Sequence, residues 1–242
     1  MNKSSIKDLL QIAISPIGTT MYVWGGGWNE ADLAAGPEAM RKGLSPSWEK
    51  FASMQDATYD YHQFRHQIHD GLDCSGFVGW VVYNTFHTEN EEKNYVFRAS
   101  RQAEHFSNMG FGTYYLAHQV TDYKAGDIMS STCGCCSHVW IVVGSCLDGS
   151  IVLVHSSPPG VQLCGTVTPD GKKNSQAYRL AKKYMKKINR DWYRKYPNVS
   201  RDIRYLSHYA QMRWFIGWDG VLTDYEGYRE MHADQILKDL IR

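Results

Sequence analysis

A short motif around residue 74 constrains most strongly what this chain can fold into. Residues 71–78 read Gly-Leu-Asp-Cys-Ser-Gly-Phe-Val, and an apolar run continues to Phe86. The β-branched run would also suit a strand, but its length and the small Ser75-Gly76 start favour a buried helix over Cys74–Phe86, with Asp73 near its start. A cysteine in the first turn would feel the positive end of the helix dipole, which lowers the pKa of a thiol and activates it as a nucleophile.

A β-hairpin is predicted downstream of this helix. The apolar runs His138–Ser145 and Ser150–His155 are joined across Asp148-Gly149, a strong turn signal. This spacing places both histidines near the open end of the hairpin. A histidine at a strand end is usually structural, but two close imidazoles suggest one proton carrier and one orienting partner.

A cysteine at a helix start with histidines on strands is the layout of a thiol nucleophile and its base. We therefore predict that Cys74 is the nucleophile and that its backbone N–H stabilises the oxyanion. His138 is predicted to be the general base and then the general acid. His155 is predicted to orient the imidazole of His138 by accepting a hydrogen bond from it.

The rest of the chain predicts an α+β fold. Ser4–Ile14 has helical periodicity, Tyr22 opens a strand-like segment that runs into Gly25-Gly26-Gly27, and 161–167 adds a strand to the hairpin. Residues 29–70 resemble a long, partly helical insertion. We predict a catalytic domain over 1–170 that contains this insertion, followed by a basic, aromatic-rich helical C-terminal extension over 171–242.

Composition narrows the class of protein. The chain has 242 residues, 43% hydrophobic residues and a formal net charge of +1, which fits a globular protein with a substantial core. No stretch approaches the roughly 18 apolar residues of a membrane span. The first twenty residues make a poor signal peptide because Ser15 and Pro16 interrupt their apolar stretch.

Positive charge is concentrated in one segment. Residues 172–213 hold 13 Lys and Arg residues and 2 Asp residues, which leaves 13 of the 26 basic and 23 of the 25 acidic residues elsewhere. Such a segment would suit an anionic polymer, or it is a solvated helix face. Nucleic acid is not expected, because the rest of the chain offsets this charge. Nucleotide binding is not expected either, because Gly25-Gly26-Gly27 lacks the Gly-Lys-Ser/Thr ending of a phosphate loop.

Six cysteines are present, and three of them form a cluster just before His138: Cys133, Cys135 and Cys136. If Cys74 is a free nucleophile, the other five cannot all pair, so a dense disulfide framework is not expected. The cluster allows free thiols, a disulfide to Cys146 or Cys164, or a zinc site with His138. Two adjacent members disfavour zinc, because paired zinc ligands are usually separated by two or more residues.

Five blocks in this order resemble the NlpC/P60 family of papain-like cysteine peptidases. Asp73 to Val78 matches the nucleophile motif, and Ser137 to Val142 matches the catalytic-histidine strand. The other blocks are the aromatic-glycine motif Tyr22-Val23-Trp24-Gly25-Gly26, the turn Ala125-Gly126-Asp127-Ile128, and His155 at the position of the third polar residue. The blocks span about residues 18–165.

The resemblance implies a papain-like fold in which the nucleophile helix packs on an antiparallel β-sheet. It implies hydrolysis of amide bonds in peptidoglycan stem peptides, commonly next to D-γ-glutamyl, without a metal or cofactor. Asp73 and Ser75 would bind the free amine of the substrate, and Tyr22 and Trp24 would lie near the nucleophile. The protein would be secreted or associated with the cell wall, with 172–213 as a contact for anionic wall polymer.

Three features depart from the family pattern: the long gap between the glycine motif and Cys74, the cysteine cluster, and the last 75 residues or so. Two alternatives therefore stay open. One is a thiol amidase or acyltransferase that acts on a non-wall substrate. The other is a non-catalytic module that binds cell-wall polymer.

Overall fold

A computed structural model describes residues 3–29, 31, 33–65, 68–86, 94–132 and 137–242. Within these residues the helices are α1 (Ile6–Ile14), α2 (Pro46–Ser53), α3 (Cys74–Phe86), α4 (Gln102–Asn108), α5 (Gln176–Ile188), α6 (Arg190–Lys195) and α7 (Ala233–Leu240). The strands are β1 (Trp28–Asn29), β2 (Ala34–Ala35), β3 (Gly112–Tyr115), β4 (Ile128–Ser131), β5 (Val139–Ser145), β6 (Ile151–Ser157), β7 (Gly160–Thr166), β8 (Ser200–Arg201) and β9 (Tyr209–Trp214). The predicted α+β class is confirmed.

Seven strands form the main sheet in the order β3-β9-β4-β5-β6-β7-β8, and β1 pairs separately with β2. The sheet is mixed, not antiparallel as predicted, because the two-residue strand β8 runs parallel to β7. The core of the sheet is the predicted hairpin, in which Val142 pairs with Leu153, and the predicted third strand pairs with it. Helix α3 packs on β5 and β6.

The predicted helix over Cys74–Phe86 is confirmed with these boundaries. Every residue from Cys74 to Val82 is buried. Gly76 lies against the glycine motif, and a β-carbon built on it would overlap the carbonyl oxygen of Gly26. The glycines of this motif therefore allow two backbone segments to touch, which fixes the nucleophile helix against the loop after Tyr22.

Local chemistry explains several element boundaries. Helix α1 begins after Ser5, whose side chain accepts from the N–H of Asp8 while the carboxylate of Asp8 accepts from the N–H of Ser5. The turn of the hairpin uses Gly149 with a φ of 76°, and the side chain of Asp148 accepts from the N–H of Ser150. The segment at Tyr22 is not a strand as predicted, since only Met21 beside it makes isolated bridges, to Gly71 and Gly160.

Residues 171–242 contain helices α5, α6 and α7, as predicted, but they do not form an extension outside the sheet. Tyr209–Trp214 forms β9, which lies between β3 and β4 inside the main sheet. Five of the six residues of β9 are buried, so this strand is packed on both of its faces. The carboxylate of Asp127, directly before β4, accepts a hydrogen bond from the guanidinium of Arg213 in β9 at 2.8 Å.

The cysteine predictions are resolved in part. Cys74, Cys146 and Cys164 are free thiols, so neither of the last two forms the disulfide considered above. The cysteine cluster lies outside the described residues. No helix in the described ranges is long and apolar enough to cross a membrane.

Candidate active site

Cys74 lies at the first position of α3, with 7% of its surface exposed, in a cleft of about 430 Å³. Asp73 caps the helix, because its carboxylate accepts from the backbone N–H of Gly76 at 2.7 Å and from the Ser75 hydroxyl at 2.8 Å. In this position the N–H of Cys74 has no acceptor within its own helix. It is therefore available to a ligand oxygen in the cleft.

The thiol of Cys74 is protonated in this structure. Burial, and then the charge of Asp73, raise its pKa to about 12, although the backbone N–H groups of Val139 and Ser75 point at the sulphur and favour the thiolate. The expectation of a lowered pKa is therefore wrong, because loss of solvation outweighs the backbone hydrogen bonds that favour the thiolate. Since Val139 follows His138 directly, the same contact places the start of β5 beside the thiol.

The structure brings His138 and His155 together. Nε2 of His138 lies 2.8 Å from Nδ1 of His155, and the ring centroids are 4.9 Å apart. Ser131 holds the backbone of His138, since its hydroxyl accepts from the N–H of His138 and its own N–H donates to the His138 carbonyl. His155 is fully buried in β6, opposite Gln162 of β7.

Both imidazoles are neutral. Burial, and then the nearby charge of Arg201, lower the pKa of His138 to about 3. The same two causes, with a smaller contribution from His138, hold the pKa of His155 well below its usual range. The resting site is thus a neutral thiol and two neutral imidazoles, and not a thiolate–imidazolium pair.

Sequence reasoning missed Arg201, although it lies in the basic segment. Its Nη2 lies 3.0 Å and its Nε 3.3 Å from Nε2 of His155, and its Nη1 donates to the carbonyl of Ser200 at 2.7 Å. The sulphur of Cys164 is 3.4 Å from the same imidazole nitrogen. An arginine within a run of basic residues carries no sequence signal of such a contact.

Aromatic side chains from the C-terminal part of the chain pack against the histidine pair. The ring of Tyr205 is 6.1 Å from His138 and 6.2 Å from His155, and the ring of Tyr209 is 6.5 Å from His138. Trp140 packs on both tyrosines at 5.8 and 5.5 Å. This wall shields the imidazoles from solvent on the side that it covers, and burial is the largest cause of their lowered pKa values.

The predicted substrate-binding residues all line the cleft with Cys74: Tyr22, Trp24, Asp73 and Ser75. Tyr22 is buried and meets Tyr61 edge to face, with ring centroids 5.2 Å apart. Trp24 is 55% exposed and lies under the guanidinium of Arg65, 5.5 Å from its ring centroid. The cleft therefore has an aromatic rim.

Other lining residues come from segments with no motif: Trp28, Arg65, Ile68, Arg98, Ala99 and Ser137. Among the described lining residues, Arg65 and Arg98 carry positive charge and Asp73 supplies the one carboxylate. The cleft thus presents a carboxylate for an amine and guanidinium groups for carboxylates. A short peptide that carries both kinds of charge suits this combination.

The basic segment also forms a surface groove of about 530 Å³ between α5, α6 and the following loop. Lys186, Lys187, Arg190 and Arg194 line it together with Tyr193 and Pro197. Among these, Arg194 pairs with Asp191 at 3.1 Å.

In the described part of the chain, no group of three or more His, Cys, Asp or Glu side chains could hold a metal ion. The considered zinc site depends on the cysteine cluster and lies outside the described residues.

No protein-family model, curated protein or solved structure matches this chain.

Proposed function

We propose that this protein is a papain-like cysteine hydrolase that cleaves an amide bond in peptidoglycan stem peptides. The observation that carries the proposal is the position of Cys74, at a helix start in a charged cleft. The backbone of Val139, the residue after His138, contacts its sulphur, and the imidazole of His138 is paired with that of His155. The five sequence blocks of the NlpC/P60 pattern support the same reaction class, and a wall substrate would place the protein outside the cell.

In the proposed reaction the sulphur of Cys74 forms a bond to the amide carbon while its proton passes to Nδ1 of His138. The backbone N–H of Cys74 donates to the oxyanion of the tetrahedral intermediate. His138 then gives the proton to the departing amine, which leaves a thioester. Water, deprotonated by His138, attacks the thioester carbon and releases the carboxylic acid and the thiol.

The cleft supports a peptide that carries both an amine and carboxylates. Asp73 with Ser75 would bind the amine, and Arg65 with Arg98 would bind carboxylates, as a stem peptide with D-γ-glutamyl requires. Trp24 and Trp28 would cover the ligand. The bond that we propose to be cleaved is the amide bond next to D-γ-glutamyl.

Incubation with purified muropeptides, read by mass spectrometry, tests the proposal. Wild type should give new peptide fragments and Cys74→Ala should give none, while circular dichroism shows that both are folded. Fragments from Cys74→Ala would contradict the nucleophile, and intact muropeptides with both proteins would contradict the substrate class.

One observation favours a second candidate, a module that binds wall peptides without cleaving them. The thiol and both imidazoles are neutral at rest. Binding of muropeptides by isothermal titration, without fragments and without labelling of Cys74 by an electrophile in their presence, would select this candidate.

The basic groove is proposed to bind anionic wall polymer. Lys186→Gln with Arg190→Gln should weaken co-sedimentation with cell walls at low salt, because the attraction is electrostatic and screened. The matched control is Lys42→Gln with Lys50→Gln, which removes two exposed charges elsewhere. Equal sedimentation of both double variants would contradict this role.

A further inference from the structure

Arg201 is a half-buried cation whose side chain contacts neutral partners. Its guanidinium meets the imidazole of His155 and the carbonyl of Ser200. Among the described residues, no carboxylate lies within ion-pair distance of it. A buried or half-buried arginine normally pairs with an acid, so this arrangement leaves it available to an external anion.

The contact fixes the protons of both imidazoles. Arginine has no acceptor, so Nε2 of His155 must accept and the single proton of neutral His155 must be on Nδ1. Nδ1–H then donates to Nε2 of His138, 2.8 Å away. His138 in turn must carry its own proton on Nδ1.

In this hydrogen bond His155 donates to His138, which is opposite to the direction that the proposed reaction needs. With a proton on Nδ1, His138 cannot accept the thiol proton there, as the proposed reaction requires. The sequence predicts that His155 accepts from His138, but Arg201 makes His155 the donor. Arg201 therefore keeps the resting site in a form that cannot act as a general base.

Reversing the hydrogen bond between His138 and His155 moves protons without changing their number. One proton leaves Nδ1 of His138 to water, the proton on Nδ1 of His155 moves to Nε2 of His138, and one proton from water binds Nε2 of His155. The two imidazoles hold two protons before and after. A proton on Nε2 of His155 would face the N–H groups of Arg201, so Arg201 must first donate to another acceptor.

A second cleft, of about 840 Å³, supplies the place for that acceptor. Arg201 lines it with Lys173, Arg204, Tyr205 and Ser157. Asp202, the one carboxylate among the described lining residues, is paired with Arg204 at 2.5 Å. A carboxylate matches the planar fork of an arginine by accepting two N–H groups at once.

We propose that a carboxylate bound in this second cleft engages Arg201 and thereby switches the histidine pair to its proton-accepting form. Arg201 is thus a positioning residue that acts through His155. The carboxylate is carried either by the peptide substrate or by a separate small molecule. The consequence for catalysis rests on the proposed function, but the binding site and the tautomer switch do not.

Histidine tautomers can be read directly by ¹⁵N–¹H correlation NMR of the full chain labelled with ¹⁵N-histidine, with Cys74→Ala to remove thiol chemistry. Without ligand, His138 and His155 should both be protonated on Nδ1. Glutarate should move the proton of His155 to Nε2, and its neutral analogue glutaramide should have no effect. A ligand-free His155 protonated on Nε2 would overturn the proposal without any variant of Arg201.

Arg201→Met should abolish the response to glutarate, whereas Arg204→Met should keep it, because Arg204 lines the same cleft but is paired with Asp202. A glutarate response that survives in Arg201→Met overturns the site. A response to inorganic phosphate but not to glutarate overturns the carboxylate assignment. A muropeptide that switches His155 where glutarate does not identifies the substrate as the source.

The thiol provides a second readout in the wild-type protein. Glutarate should raise the rate of Cys74 alkylation by iodoacetamide at pH 7 by about tenfold, the effect of one pKa unit. In Arg201→Met, Cys74 should react about tenfold faster than in ligand-free wild type, and glutarate should not change this rate. If the tautomers switch but muropeptides stay intact, only the proposed function fails; if muropeptides are cut but His155 never switches, only this inference fails.

Discussion

Replacing His138 by glutamine should make the fold less sensitive to acid. The imidazole of His138 has a pKa of about 3 in the folded chain, against an ordinary value of 6.5. Between these values the unfolded chain binds a proton that the folded chain does not, so the free energy of unfolding falls as the pH falls. Glutamine cannot titrate, and its carbonyl oxygen can accept from Nδ1–H of His155 in place of the imidazole.

The magnitude follows from proton linkage. For a group with these two pKa values, lowering the pH from 6.5 to 4.5 costs about 2.3 kcal/mol of unfolding free energy at 25 °C. Apart from the smaller effect of His138 on the pKa of His155, the other titrating groups act alike in both proteins and cancel in the difference. Wild type should therefore lose about 2.3 kcal/mol more than His138→Gln over this interval.

Urea unfolding followed by tryptophan fluorescence at pH 6.5 and pH 4.5 measures the two losses. His118→Gln is the matched control, because it makes the same change at an exposed histidine and should lose as much as wild type. If His138→Gln also loses as much as wild type, His138 takes up its proton without unfolding. The neutral histidine pair, and the tautomer argument built on it, would then be refuted.

Three further predictions concern the helix, the turn and the thiol. Gly76→Ala should abolish a cooperative melt in calorimetry, because the added β-carbon overlaps the Gly26 carbonyl; an unchanged melting temperature would contradict the close approach. Asp127→Ala should cost about 3–5 kcal/mol in urea unfolding, because Arg213 loses a buried partner, and a loss below about 1 kcal/mol would contradict this. Alkylation of Cys74 should rise about tenfold per pH unit from pH 7 to 10, and a plateau near pH 8.5 would contradict a pKa of about 12.

The local patterns around the site could be predicted from the sequence. The helix Cys74–Phe86 follows from a continuous apolar run too long for a typical strand, and the hairpin follows from two apolar runs across Asp148-Gly149. The hairpin predicts that His138 and His155 lie near the same end, but the turn does not predict their register, because a β-bulge between Val142 and Gly144 shifts the pairing by one residue. The helix and the hairpin depend on neighbours in the chain, which a single sequence contains.

The electrostatics could not be predicted in the same way. The pKa of Cys74 depends on how deeply later segments bury it, and the tautomer of His155 depends on Arg201, 46 residues further along the chain. Neither burial nor a long-range contact has periodicity or spacing in the sequence. The sign of the thiol pKa shift was therefore wrong even though the helix position was right.

The C-terminal part of the chain shows how closely fold and site are joined. A basic, aromatic segment after a complete set of motifs suggests an addition that can be removed. In the structure this segment supplies β9 to the interior of the sheet and Arg201, Tyr205 and Tyr209 to the histidine pair.

Deleting residues 172–242 would leave β3 and β4 without the strand between them, so loss of wall binding after truncation would report unfolding. Only substitutions that keep β9 can separate the basic groove from the active site. This is why Lys186→Gln with Arg190→Gln is tested on the full chain. That double variant should keep the muropeptide cleavage of wild type, because both side chains are exposed on α5 and α6, away from the cleft that holds Cys74.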